Sequence, residues 1–181
     1  MLAHEKKKRE NIIEYLLYLF HTEDILRSLT LNLDVVEEVV IEPEGLDSEE
    51  KMRLKMWYKE LIEEMERNKL ENRGHIEEVY HLLGELSYLH NALMSRLKDP
   101  DYVKLWKTAY PAIQELTNKS GEAVHNPIEV CFNGVYGVMV LKMKKREISD
   151  ETLVATQQFS NLLNYLGKKY HEVTRGELSL R

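Results

Sequence analysis

Apolar residues recur at spacings of three and four along nearly the whole chain, the periodicity of amphipathic helices. The spacing predicts a first helix from about Lys6 to Leu33, with Ile12, Ile13, Leu16, Leu17, Leu19, Phe20 and Leu26 as its buried stripe. From Asp34 to Val40 the β-branched run suits a short helix or a strand, and valines at i, i+1, i+4 and i+5 favour the helix. Pro43 and Gly45 then break the chain, and Asp47 or Ser48 caps a second helix from Glu49 to about Arg67, with Leu54, Trp57, Leu61 and Met65 inward.

The polar NKLENRG stretch leads to a third helix, His75 to Leu97, whose stripe is Ile76, Val79, Leu82, Leu83, Leu86, Leu89 and Leu93. Asp99 and Pro100 open a fourth helix as cap and first-turn proline, and Pro111 is expected to kink or split it before Leu116. Asn126 and Pro127 start a fifth, running to about Met143. Its Gly134 and Gly137, one turn apart, imply close backbone packing against a neighbour, since each glycine costs about 1 kcal/mol against alanine. Ser149 starts the last helix, with Leu153, Phe159, Leu162, Leu163, Leu166 and Tyr170 inward and fraying expected after His171. The expected fold is all-α, an irregular bundle of about six helices in a single domain spanning residues 1–181, with long first, third and last helices at its core.

Composition agrees with that picture. The chain has 181 residues, 43% of them hydrophobic and 31% charged, with 8 glycines and 4 prolines, a balance that suits a helix-rich globular domain and not a disordered one. Its net charge of −6 repels nucleic acid and anionic membranes unless a local patch overrides it. Two basic runs exist, Lys6 to Arg9 and Lys142 to Arg146. Neither is interleaved with the aromatics that a base-stacking platform needs, so one is read as a solvated arm and the other as a complement to a helix C-terminus. No apolar stretch reaches membrane-spanning length, and Glu14 interrupts the only candidate leader, so a signal peptide is not expected. One cysteine, Cys131, excludes an intrachain disulfide and a thiolate-rich zinc site, and a cytoplasmic setting is the default.

Against this background Glu23 and Arg27 stand out. At about 100° per residue they fall within the arc of Ile12, Leu16 and Phe20, with Asp24 at its edge, and ionised side chains on a buried face need partners. They suit either an internal ion pair that fixes how the first helix docks or a polar pocket in which Arg27 grips an anion. His90, mid-helix on an apolar face, joins them as a candidate because only tertiary contacts can satisfy it.

Other constellations carry less. Glu78 with His81, and Glu122 with His125, form Glu-x-x-His steps like those of di-metal carboxylate bundles, but the first lies on a polar flank and the second straddles a loop, so no metal site is expected. His75 and His90 are separated by about 22 Å of helix and cannot share a metal. Cys131 sits among Ile128, Phe132 and Val135 as a small hydrophobe. No phosphate loop, nucleophile elbow or zinc-protease step is present, and no cofactor is implied.

The segments IIEYLLYLFHTEDILRS, GHIEEVYHLLGELSYLH, IEVCFNGVYGVMVLKMKKREISDET and FSNLLNYLGKKY together resemble a family of uncharacterised helical proteins of about this length found mainly in Bacteroidetes, a domain of unknown function. The resemblance is strongest at Glu23, Asp24 and Arg27 and from Tyr136-Gly137 to Ser149. It implies one helical domain in a bacterial cytoplasm and carries no activity, ligand or catalytic residue.

The functional expectation is therefore a non-enzymatic cytoplasmic interaction or assembly module, a homodimer by base rate, with no nucleic-acid or membrane partner. The alternative is a small-molecule site between helices around Glu23, Asp24, Arg27 and His90, either a binding protein or an enzyme for an anionic metabolite.

Overall fold

The structure, a computed structural model of the chain, describes residues 1–121 and 126–180, and among them it contains helices and turns but no strand. Eight α-helices follow in order: α1 (Ala3–Glu10), α2 (Ile12–Ser28), α3 (Leu33–Val36), α4 (Ser48–Arg67), α5 (Glu77–Asn91), α6 (Pro100–Ser120), α7 (Pro127–Met143) and α8 (Asp150–Thr174). Two π-helical turns, Glu37–Ile41 and Ala92–Arg96, extend α3 and α5, and a 3-10 turn covers Glu42–Glu44. The all-α class is as expected, whereas the count of about six helices is corrected to eight among the described residues.

The extra helices have local causes. Asn11 divides the expected first helix, its Oδ1 accepting the Ile13 N–H at 3.1 Å in the manner of a cap. Helix α2 then stops at Ser28 and not Leu33, because Thr30 and Leu31 take left-handed backbone angles and the Leu31 N–H closes on the Leu26 carbonyl at 2.9 Å. Asn32 restarts the chain by accepting the Asp34 and Val35 N–H groups. Pro111, expected to kink or split the fourth helix, does not end it: α6 continues to Ser120 with the proline ring on the exposed face, where water can reach the carbonyl it leaves free.

Backbone contacts group the chain into two compact units, Met1–Glu10 with Glu14–His81, and Asn11–Ile13 with the chain from Leu82 on. In the first, Tyr15, Leu16, Leu19, Phe20 and Leu26 of α2 are buried, as are Leu54, Tyr58, Leu61, Ile62 and Met65 of α4. Tyr58 takes the interior place expected of Trp57, whose half-buried ring stacks on His4 at 4.0 Å between centroids. Helix α1 is further held by Arg53 on Glu5 and by Lys8 on Glu78 at 2.5 Å, largely exposed pairs of small worth. His4 Nδ1 is buried without a hydrogen-bond partner, and burial lowers the pKa of its ring.

In the second unit α6, α7 and α8 pack on one another around Tyr102, Ile113, Phe132, Phe159, Leu162 and Leu166. Helix α8 runs past His171, the expected limit, to Thr174 before Gly176 turns the chain in a left-handed conformation. The reason lies in His171: its Nε2 accepts the Ile12 N–H at 3.1 Å, supplying one of the partners that the first turn of α2 lacks. That acceptor role needs the neutral ring, and burial together with Arg175 lowers the His171 pKa. Gly167 allows α8 to approach closely, since a Cβ there would lie 2.6 Å from Ile13 Cγ1.

Two predictions follow from this packing. Gly167→Ala is expected to cost about 1–3 kcal/mol in chemical unfolding, and an unchanged midpoint would contradict the close approach. The unfolded chain takes up protons on its histidines near pH 6.5, while His4 and His171 in the folded state resist until lower pH; stability is therefore flat above that pH and falls as pH drops below it. His4→Phe, which keeps a ring against Trp57, is expected to flatten the fall in Tm between about pH 7.5 and 5.5. Melting curves at stepped pH check this, and an unaltered slope counts against it.

Candidate functional site

Helix α2 buries Glu23 to 2% exposure within the first unit. Its Oε1 accepts the Ile76 N–H at 2.7 Å and its Oε2 accepts Nδ1–H of His75 at 2.6 Å. Ile76 immediately precedes α5, so the carboxylate sits at the positive end of that helix, which offsets part of the cost of burying the charge. The His75 ring is stacked on Phe20 at 4.3 Å and meets Tyr80 edge-on at 5.7 Å, which fixes its orientation.

Arg27, in the last turn of α2, serves different partners. Its Nε donates to the Leu70 carbonyl at 3.0 Å, Nη2 to the Gly74 carbonyl, and Nη1 to Asp24 Oδ1 at 3.1 Å. Glu23 and Arg27 are thus not bonded as a pair; both reach the link between α4 and α5, one through an amide and the other through two carbonyls. With its donors so engaged, the guanidinium presents no open fork of the kind that grips an anion.

His90 lies in the second unit, where Nδ1 and the Tyr102 hydroxyl share a 2.8 Å hydrogen bond and Trp106 leans on the ring at 4.5 Å. Burial lowers its pKa. Beside it the Tyr165 hydroxyl donates to Asp99 at 2.9 Å, and Asp99 caps α6 by accepting the Tyr102 N–H at 3.0 Å. His90 Nδ1, the Tyr165 hydroxyl and the Asp99 carboxylate thus have hydrogen-bond partners within the unit.

The remaining candidates also fall into place. Glu78 accepts from Lys8 and from the Tyr15 hydroxyl, and Glu122 and His125 lie outside the described residues. Cys131 is fully buried, and burial pushes its thiol up to about 12, far from a neutral-pH nucleophile. Among the described residues no three His, Cys, Asp or Glu side chains are grouped to hold a metal, and no helix is long and apolar enough to cross a membrane.

A concave surface that the sequence did not disclose lies in the second unit. The C-terminal half of α6, the middle of α7 and the first turns of α8 enclose a groove of about 410 Å³. Leu116, Val138, Leu141, Ala155 and Phe159 give it apolar walls, Gly134 and Gly137 lie along it, and Glu115, Lys119 and Glu151 stand among its polar lining. Leu153, expected inward, is 38% exposed, and Val154 beside it is 58% exposed. The two glycines differ. A Cβ on Gly134 would lie 2.7 Å from the Phe159 ring, so it has the close neighbour that the sequence implied, whereas a Cβ on Gly137 would meet nothing within 4 Å.

Removing either buried Glu23 or half-buried Arg27 is expected to destabilise the fold without any ligand. Glu23→Gln and Arg27→Met should each cost about 2–3 kcal/mol in urea titrations, since each leaves backbone groups short of a charged partner. An Arg27→Met protein with unchanged melting temperature would remove the structural role.

Over residues 1–177 the chain matches the family described as Domain of unknown function (DUF4924). Neither a curated protein nor a solved structure matches it. The match covers almost the entire sequence, and the chain belongs to the DUF4924 family.

Proposed function

We propose that this protein is a non-enzymatic interaction module that receives a protein partner in the groove formed by α6, α7 and α8. Gly137 carries the proposal. Glycine in a helix interior costs about 1 kcal/mol against alanine, and nothing among the described residues approaches Gly137 closely enough to require it; exposed Gly84 of α5 is equally open, and what sets Gly137 apart is that it lines the groove. The space over it faces the groove, so what the missing side chain serves is an arrival from outside. Exposed Leu141, Leu153 and Val154 supply apolar surface at or beside the mouth, as a docking site requires.

The polar clusters support the same conclusion by exclusion from catalysis. Glu23, Arg27 and His90 are tied to backbone and ring partners, and the Cys131 thiol is closed off. A buried, unpaired cysteine also suits a reducing compartment, in keeping with a cytoplasmic module.

Gly137→Ala separates stability from binding. It is expected to raise stability by about 0.5–1 kcal/mol while weakening partner docking. A photocrosslinking residue at Val154, in protein expressed in its own host, should give a discrete adduct that Gly137→Leu abolishes and that the same probe at exposed Tyr88 does not give. Equal labelling from Val154 and Tyr88, indifferent to Gly137→Leu, would contradict the proposal.

A further inference from the structure

Helix α1 is held to its unit by little buried surface. Of residues 1–10 only Leu2 and His4 are buried. The His4 ring lies flat on Trp57, 4.0 Å between centroids and 4° from parallel, and Tyr18 stacks on the same indole at 6.2 Å. The ion pairs that side chains of α1 make with α2, α4 and α5 are Lys7 with Glu14, Glu5 with Arg53 and Lys8 with Glu78, all largely exposed and of small worth. Asn11 interrupts the helix between α1 and α2, so α1 can leave without unwinding α2. Its 8 residues are too few to stay helical in water on their own, so leaving also means unwinding.

Half of that buried grip is a ring that has no place for a second proton. His4 Nδ1 is the buried side-chain nitrogen that lacks a hydrogen-bond partner among the described residues, and a protonated ring would set a charged N–H there with nothing to accept it. The charged groups that face the ring are Glu5 and Lys8 of α1, Arg53 of α4 and Glu78 of α5. They are two of each sign, paired with one another, and none bonds to Nδ1. Burial is the largest influence on the ring and lowers its pKa. His75 of the same unit differs, because a proton on it finds the Glu23 carboxylate.

We propose that α1 is a proton-released strap: a proton on His4 lifts α1 off Trp57 while the rest of the first unit stays folded. Above about pH 6.5 the ring is neutral whether α1 is docked or released, and docking does not vary with pH. Below it the released ring takes up a proton that the docked ring refuses, so docking weakens by up to about tenfold per pH unit. Release uncovers the Trp57 face under His4 and the place filled by Leu2, a surface that is closed at neutral pH.

Native-state hydrogen exchange of the full chain, at several low urea concentrations and at stepped pH, tests this. The amides of Lys6 to Glu10 should open far more readily than that of Met65 inside α4, and with little dependence on urea, as a local event does. Corrected for the intrinsic exchange rate, their opening should become up to about tenfold easier between about pH 6.5 and 5.5. In His4→Phe, which keeps a ring on Trp57 that binds no proton, it should not change with pH. An α1 that opens only together with Met65 overturns the proposal, as does an opening indifferent to pH or an equal pH dependence in His4→Phe. If the phenylalanine disturbs α1, titration of the wild-type His4 ring by NMR decides. A midpoint below about 6.5 supports the strap, and one at or above it overturns it.

Discussion

The link between α4 and α5 is the point on which the first unit depends, because its backbone leaves the helices with polar groups still to satisfy. The Leu70 and Gly74 carbonyls and the Ile76 amide have no helical partner, and interior backbone groups without partners cost about as much as a lost hydrogen bond each. Side chains from α2 take all three. Glu23 answers the amide and Arg27 the carbonyls, so these two polar side chains on the inward arc of α2 serve backbone that apolar residues could not have accommodated. That division of labour also explains why a carboxylate can be buried to 2% exposure: a helix N-terminus and an imidazole N–H face its two oxygens.

The second unit solves a similar problem with histidine and tyrosine side chains and one aspartate. His171 receives the first amide of α2, and His90, Tyr102, Tyr165 and Asp99 satisfy one another and the start of α6. Once these polar groups are accounted for, the groove between α6, α7 and α8 is an open surface lined by a mid-helix glycine with nothing within 4 Å of its Cβ position. At Gly137 local helical preference is contradicted where the chain borders open space.

The helical class was legible because period-3.6 patterning runs through nearly every segment, and the stripe from Ile76 to Leu93 is buried as expected. Boundaries were less so. Thr30 and Leu31 carry no breaker signature, yet they end α2 in left-handed conformations that the Asn32 cap makes workable. Glu23, Asp24 and Arg27 could be placed on an inward or boundary arc, but their partners are carbonyls and an amide of a loop, and backbone groups leave no mark in composition. His90 shares no partner with them; periodicity gives the face of a helix and not the element that meets it. Gly134 and Gly137 look alike in sequence; only the position of the Phe159 ring separates the one that is packed from the one that is open. Leu153 follows helical spacing and is still exposed, since the first turn of α8 borders the groove and not the core.

Native-state amide hydrogen exchange at Ile76 reports whether the Glu23 carboxylate secures the link between α4 and α5. If Glu23 holds that amide, it should exchange among the slowest in the first unit, although it precedes the helix proper, and should open only with the unit as a whole. Exchange as fast as that of the exposed residues Glu71 to Arg73 would show that the carboxylate does not secure the link, and the account of this interior would fail.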